Sequence, residues 1–231
     1  MRWLAVLLAM MVAGCATKMG KDGRTQTTVD AKYLLKSDVD RIADANRAEV
    51  VAGLLLIADK LYKRNPREWK KSAASREAAV ERLRMRQHKS FPELGGLRER
   101  QAAALAFSNN YDGDRVAALV YGLLTMVDAA FEHKEEFYIL DSLNETKLYN
   151  CARNMEIAVW KLSTDRDAAG DLFLISNELD PANRNISFER EFGRITGLLD
   201  FMAKIVADRN GRTVSRAAQS VTTMIFLPVS F

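Results

Sequence analysis

The sequence predicts an all-α protein, an irregular bundle of about seven helices that follows a polar N-terminal segment. Three observations carry this prediction. Apolar residues recur at steps of three and four over most of the chain. Polar residues that commonly cap helices stand in front of several of these stretches. With only four prolines and twelve glycines, and without repeated alternating runs, the chain lacks the signals of a β-sandwich or barrel.

The first predicted helix begins after Ser37 and ends at Asn65. Ser37 with Asp40 three residues later is typical of a capping residue and an acidic first turn. Pro66 pushes the residue before it out of the helical region. The apolar stripe of this helix is predicted to be Val39, Ile42, Val50, Leu54, Ile57 and Leu61.

A second helix is predicted from Pro66 to Gln87, and a third from Ser90 to Phe107, continuing across Gly95-Gly96. The inward residues of the second helix are expected to be Trp69, Ala73, Val80 and Leu83.

Residues 108–113 are predicted to form a loop, after which Asp114 caps a helix that extends to Phe131. The apolar residues of this helix cover a broad face, which is typical of a central element. They are Val116, Leu119, Val120, Leu123, Leu124, Val127 and Phe131.

Ser142 with Glu145 indicates a capping box, followed by a helix to Leu162. Its stripe is Leu148, Cys151, Met155, Val159 and Leu162. Residues 172–185 are compatible with a strand or a buried helical turn, and we favour helix because no partner strand is evident.

Ser187 begins a helix that closes near Asn210-Gly211. Its stripe is Phe188, Phe192, Ile195, Leu199, Met202 and Val206. The segment from Thr213 to Phe226 is compatible with a last helix.

Residues 1–14 are expected to be an export signal peptide. Arg2 precedes nine apolar residues, Leu4 to Val12, whereas a membrane-spanning helix needs about 20. The alternative is a buried N-terminal helix.

The residues Val12-Ala13-Gly14-Cys15 resemble the lipobox of bacterial lipoproteins. The resemblance covers only about 15 residues and says nothing about the mature domain. It implies that Cys15 is acylated and becomes the first residue of the mature chain. An Asp after the cysteine retains enteric lipoproteins at the inner membrane, so Ala16 favours the outer membrane, facing the periplasm. Residues 15–36 would be the lipidated cysteine and a flexible tether, and residues 37–231 a single helical domain.

The charge of the chain is nearly balanced, at a formal +4. Removing the signal peptide takes away one arginine and no acid, which leaves +3. The segment from Lys63 to Lys89 is uneven, with ten basic and three acidic residues. We expect a basic helical face there that contacts anionic headgroups or acidic cell-wall polymer, and the alternative is an ordinary solvated surface. The residues expected to make this contact are Arg76, Arg82, Arg84 and Arg86.

No catalytic site is predicted, and no metal or other cofactor. The chain has two histidines, His88 and His133, whereas a catalytic zinc needs about three protein ligands. His133 and Glu136, three apart on one expected helical face, are interpreted as solvated surface. Phosphate-binding glycine loops and the Gly-x-Ser-x-Gly motif are absent. Cys151 is interpreted as a packed thiol rather than a nucleophile.

Two further motifs are weak. Glu178 is the one candidate for the acidic residue with which lytic transglycosylases cleave peptidoglycan, but the Glu-Ser motif of those enzymes is missing. Asp112-Gly113-Asp114 lacks the alternating ligands of a calcium loop, so a turn followed by a helix cap explains it better.

The sequence therefore predicts a lipid-anchored envelope protein, a non-catalytic helical module that binds an envelope protein or a cell-wall component. No nucleic-acid partner is expected. The alternative function is an envelope hydrolase acting on peptidoglycan or lipid.

Overall fold

A computed structural model describes residues 17–19, 25–27, 36–138, 141–177, 185–211 and 225–230. From Lys36 onward these residues form an all-α domain with seven α-helices. A pair of three-residue antiparallel strands, β1 (Thr17–Met19) and β2 (Thr25–Thr27), precedes it, within the segment predicted to be a tether. The lipobox residues Val12, Ala13 and Gly14 and the cysteine Cys15 lie outside the described residues.

Helix α1 (Asp38–Arg64) confirms the first prediction in both of its bounds. Ser37 and Asp40 form a full capping box, in which each side chain accepts a hydrogen bond from the other residue's backbone N–H. The predicted stripe is wrong at Ile42, which is 41% exposed. The buried face of the first turns instead runs through Ala43, Arg47 and Val50.

The predicted helix from Pro66 to Gln87 is two helices, α2 (Pro66–Lys70) and α3 (Arg76–Arg86). The break arises because Ser75 starts the second one, with its side chain accepting a hydrogen bond from the backbone N–H of Ala78 at 3.1 Å. Residues with short hydroxyl side chains favour such capping positions over helix interiors.

The predicted helix from Ser90 to Phe107 is also interrupted. A 3-10 turn (Pro92–Leu94) is followed by α4 (Glu99–Leu105). Gly95 and Gly96 have φ angles of +61° and +79°, a left-handed conformation that ends a helix.

Helix α5 (Arg115–Ala130) is the central element, as predicted, and every residue from Val116 to Ala130 is buried. It packs against α1, α3, α4 and α6. Gly122 lets α4 approach closely, because a Cβ there would lie 2.5 Å from the backbone nitrogen of Ala103 and 2.7 Å from the carbonyl oxygen of Glu99.

Helices α6 (Glu145–Thr164) and α7 (Ser187–Arg209) pack against each other, and α7 also packs against α1. The six predicted stripe residues of α7 are all buried. The predicted Ser142 capping box is wrong: Asn144 caps α6, and its side chain accepts hydrogen bonds from the backbone of Thr146 and Lys147. Asn144 stands directly before the first helical residue, Glu145, which is the position from which a side chain caps a helix.

Residues 172–177 are not helical, so the prediction of a helix is wrong for these residues. Leu172 forms an isolated bridge with Arg166, and the side chain of Asn65 hydrogen-bonds both the N–H and the carbonyl of Ile175, each at 2.8 Å. These side-chain partners satisfy backbone groups that a helix would have paired. Residues 178–184 lie outside the described residues.

The C-terminal residues 225–230 are not helical either, and 212–224 lie outside the described residues. Phe226 and Val229 are buried against the core. The fully buried side chain of Asn154 bonds the N–H of Leu227 at 2.6 Å and its carbonyl at 2.9 Å. The chain end is therefore held by α6.

Candidate functional site

The candidate site is centred on Asp128, which lies in the last turn of α5 with a side chain only 3% exposed. Its Oδ2 accepts hydrogen bonds from Nδ1 of His133 at 2.7 Å and from Nη2 of Arg98 at 3.1 Å. Its Oδ1 lies 2.6 Å from Nδ1 of His88. One buried carboxylate thus holds both histidines of the chain and an arginine.

Three segments bring these groups together. Arg98 immediately precedes α4, and the backbone N–H of Glu99 donates to the hydroxyl of Thr125 on α5 at 2.7 Å. The segment carrying His88 is held to α5 by Tyr121, whose hydroxyl donates to the carbonyl of Lys89 at 2.8 Å.

His133 lies in a strained turn. The prediction that His133 and Glu136 share one face of a helix is therefore wrong. Helix α5 ends at Ala130, and Glu132 and His133 have φ angles of +54° and +58°. Such angles are uncommon outside glycine and persist when surrounding contacts fix them. Here the backbone N–H of His133 donates to the carbonyl of Asp128 at 2.8 Å. Its side chain is 63% exposed, which agrees with the predicted surface position.

The second nitrogen of His88 lies between groups of opposite charge. Nε2 is 2.7 Å from a carboxylate oxygen of Glu135 and 3.0 Å from Nη2 of Arg47. Burial lowers the pKa of the Arg47 guanidinium, and the carboxylates of Glu135 and Asp128 oppose this effect. In the tautomer whose Nε2 carries no proton, His88 accepts a hydrogen bond from Arg47.

These groups line an open cleft of about 610 Å³, formed by His88, Arg98, Asp128, His133 and Glu135. Beside it, Lys36 lies 2.5 Å from Asp44 and 3.6 Å from Glu136. The backbone N–H of Phe137 also donates to Asp44 at 2.8 Å. The cleft therefore lies at the end of the domain where the chain enters α1.

The four arginines predicted to contact an anionic surface all have partners within the domain. Arg76 pairs with Asp59 at 2.9 Å and Arg84 with Glu81 at 3.1 Å. Arg82 pairs with Glu93, and Arg86 donates to the carbonyl of Ser90 at 2.7 Å. Part of the charge of this face is thus compensated internally, and the surface contact remains a prediction.

Asp114 caps α5 as predicted and closes a buried network that the sequence did not indicate. Its carboxylate accepts from the backbone of Ala117 at 2.9 Å, the hydroxyl of Tyr62 at 2.9 Å and the hydroxyl of Ser72 at 2.7 Å. Burial raises the pKa of Asp114, which the three donors oppose. This arrangement connects α1, the α2–α3 segment and α5, and we interpret it as structural.

Two residues considered in the sequence analysis remain, Cys151 and Glu178. Cys151 is fully buried, and burial raises the pKa of its thiol, in agreement with a packed side chain. Glu178 lies outside the described residues.

Within the described part of the chain, no group of three or more His, Cys, Asp or Glu side chains is arranged to hold a metal ion. The helices described there include none with the length and apolarity to cross a membrane.

Comparison of the chain with protein-family models, with curated proteins and with solved structures finds no match. The Asp128 cluster leaves no pattern in the sequence, because its members come from separate segments and share no spacing. The one available clue was the five-residue step from Asp128 to His133 across a helix end.

Proposed function

We propose that this chain is a lipid-anchored protein of the bacterial cell envelope whose helical domain binds another envelope component without catalysing a reaction. The observation that carries the proposal is the lipobox Val12-Ala13-Gly14-Cys15 at the end of a short apolar run. Two or three acyl chains on Cys15 bind a membrane durably, since each buried CH₂ contributes about 0.8 kcal/mol. The outer membrane is the proposed location, with the domain in the periplasm.

The architecture of the domain is compatible with a binding role. Its core is formed by packed helices, and the Asp128 cleft is lined by charged side chains at the end where the chain enters α1. As a flexible coil, the segment of about 20 residues between Cys15 and α1 would span on the order of 25 Å. The cleft would then lie within reach of the membrane surface to which Cys15 is anchored.

Labelling with palmitate in the producing bacterium tests the anchor. Cys15→Ser should abolish incorporation and release the protein from the membrane fraction. Cys151→Ala is the matched control, because it removes the other cysteine of the chain and should leave both properties intact. Label retained by Cys15→Ser would contradict the proposal.

A second candidate function is an envelope hydrolase, favoured by one observation. A histidine held by a buried aspartate, as His133 is by Asp128, is the arrangement that hydrolases use to activate water or a nucleophile. Among the described residues, the cleft lining includes no Ser, Thr or Cys, so water would have to be the attacking group. Turnover of peptidoglycan or phospholipid by the purified protein, lost in His133→Gln, would favour this candidate over the binding module.

A further inference from the structure

Residues 225–230 are attached to α6 through their main chain. The side-chain amide of Asn154 accepts from the N–H of Leu227 at 2.6 Å and donates to its carbonyl at 2.9 Å. The amide of Asn150 donates to the carbonyl of Pro228 at 3.0 Å. Leu227 precedes a proline, which favours an extended backbone at that residue. The two asparagines therefore bind groups that any extended peptide offers, whatever its side chains.

Asn154 destabilises the helix bundle unless a peptide lies against it. It is fully buried on a face of α6 whose other members include Cys151 and Met155. Apart from Leu227, its hydrogen-bonding partner among the described residues is the sulfur of Met126 at 3.2 Å, and a thioether is a weak acceptor. A buried amide without good partners costs free energy. The position is therefore suited to a backbone ligand.

Two side chains of the segment fill apolar positions three residues apart. Phe226 and Val229 are buried, whereas Pro228 between them is exposed. A cavity of about 430 Å³ lies beside Phe226, so the groove accommodates an apolar residue larger than this phenylalanine. Main-chain hydrogen bonds supply affinity in such grooves, and side-chain pockets supply specificity. The cavity is lined by Arg100, Gln101, Ala104, Lys161, Ile225 and Phe226.

The charges at this cavity do not match the segment that lies beside it. Arg100 is exposed, and its side chain forms no ion pair or hydrogen bond with the described residues. Lys161 is already paired with Asp165 at 2.7 Å. Residues 225–230 contain no acidic residue, and Ile225, which lines the same cavity, is 67% exposed. A carboxylate at the position of Ile225 would suit the unpaired arginine better.

The other end of the segment meets a strained residue of α4. The backbone N–H and the hydroxyl of Ser230 donate to Oε2 of Glu99 at 3.3 Å and 2.9 Å. Glu99 has a φ angle of +47°, and its own N–H is held by the hydroxyl of Thr125 at 2.7 Å. Such strain in non-glycine residues clusters at ligand sites. It lies here at the carboxylate that holds the end of the segment.

We propose that the α4–α6 groove, formed by Glu99, Asn150 and Asn154, is a binding site for an extended segment of another envelope protein. The segment that it recognises carries apolar residues three apart, with an acidic residue directly before the first. Residues 225–230 occupy the groove within the same molecule and compete with that segment. This inference rests on the proposed binding role and names the chemistry of its partner, but it does not depend on the acylation of Cys15.

The ligand for the test is a fluorescein-labelled peptide of residues 225–230 that carries Ile225→Asp, called the acidic peptide. Its anisotropy is measured with residues 15–231 carrying Cys15→Ser, and with the same chain carrying Phe226→Ala. The first chain should bind weakly, because its own segment competes at an effective concentration on the order of mM. Phe226→Ala weakens that competitor and should raise the affinity about tenfold or more. If neither chain gives saturable binding, or if both bind equally, the proposal is overturned.

A modified peptide separates backbone recognition from apolar adhesion. Methylation of the Leu227 nitrogen in the acidic peptide removes the N–H that Asn154 accepts, so the affinity should fall about tenfold or more. Asn154→Leu in the chain should have the same effect, whereas Asn110→Leu, in the loop before α5, should bind like its parent. Binding that N-methylation leaves unchanged would contradict the proposed site. Circular dichroism checks that Phe226→Ala is folded, and Val229→Ala takes its place if it is not.

Arg100 tests the chemistry of the partner. The peptide with Ile225 unchanged should bind about two- to fivefold more weakly than the acidic peptide, since an exposed ion pair contributes little. Arg100→Gln should remove this difference. Equal or tighter binding of the unchanged peptide would favour the C-terminal segment of a second copy and overturn the proposed partner. An acylated chain that binds neither peptide keeps the proposed anchor and loses this inference. A chain that binds the acidic peptide but carries no lipid does the reverse.

Discussion

His133 contacts Asp128 twice. Its backbone N–H donates to the Asp128 carbonyl at 2.8 Å, and its Nδ1 lies 2.7 Å from Oδ2 of the same residue. The first contact ends α5 in a left-handed turn. The second is a hydrogen bond between the imidazole and the buried carboxylate. The same aspartate therefore fixes both the backbone and the side chain of the histidine, which explains how two consecutive non-glycine residues keep positive φ angles.

Asp128→Asn should destabilise the domain by about 2 to 3 kcal/mol, because it leaves His88, Arg98 and His133 facing a neutral group that carries its own N–H donors. This value lies below the about 3 to 5 kcal/mol that breaking a fully buried ion pair costs, because the partners are partly exposed. Urea denaturation of residues 15–231 with Cys15→Ser, called the non-acylated mature chain, measures this change in stability. Asp208→Asn, at an exposed site near the end of α7, is the control and should change stability by less than about 0.5 kcal/mol. Equal effects of the two substitutions would argue against a central role for Asp128.

Gly122→Ala should destabilise the domain by about 2 to 4 kcal/mol, because the added Cβ would collide with the backbone of α4. Gly197→Ala provides the opposite control. That glycine lies inside α7, where an added Cβ would meet no atom within 4 Å, so alanine should stabilise the helix by about 0.5 to 1 kcal/mol. Thermal unfolding of both variants checks the pair. A Gly122→Ala variant as stable as the parent would show that α4 is not packed as described.

Much of the fold was predictable because local signals determine it. Ser37 and Asp114 cap their helices as the sequence indicates, and the stripe of α7 is buried throughout. The predictions failed in two situations. In one, a side chain hydrogen-bonds backbone that is distant in the sequence. In the other, a left-handed glycine conformation ends a helix that the apolar pattern would continue. Gly95-Gly96 take left-handed angles that end a helix, and Asn65 holds Ile175 in a non-helical segment.

The candidate site was not predictable from pattern. The charged run around His133 correctly indicated exposure, but its buried partner Asp128 is hidden among the apolar residues of α5. Arg47, His88 and Arg98 approach from other segments only after the chain has folded. No spacing rule connects them, and the relation becomes visible only in three dimensions.

Cys151 should react slowly with a maleimide in the native protein. The thiol is fully buried and burial raises its pKa, so little nucleophilic thiolate is available. Labelling of the non-acylated mature chain, with and without denaturant, gives the comparison. The denatured chain should label readily. Rapid labelling under native conditions would favour a reactive thiol instead.

The basic face of α3 should bind anionic vesicles more tightly than neutral ones, with an affinity that falls as salt rises. Replacing both Arg84 and Arg86 by Gln should weaken this binding by about tenfold or more, at roughly 1 kcal/mol for each charge near the surface. The matched control is Arg190→Gln with Lys204→Gln, two exposed cations of α7. If the affinity for vesicles does not depend on salt, or if both double variants lose the same affinity, α3 has an ordinary solvated surface.

Mass spectrometry of the N-terminal peptide, on protein purified from the membranes of the producing bacterium, tests the proposed lipid anchor. We predict that residues 1–14 are absent and that the first residue is Cys15, carrying a diacylglyceryl group and, where the bacterium adds one, a third acyl chain. An N-terminal peptide that begins at Met1, or one in which Cys15 carries no lipid, would contradict the proposal that this helical domain works at a membrane surface.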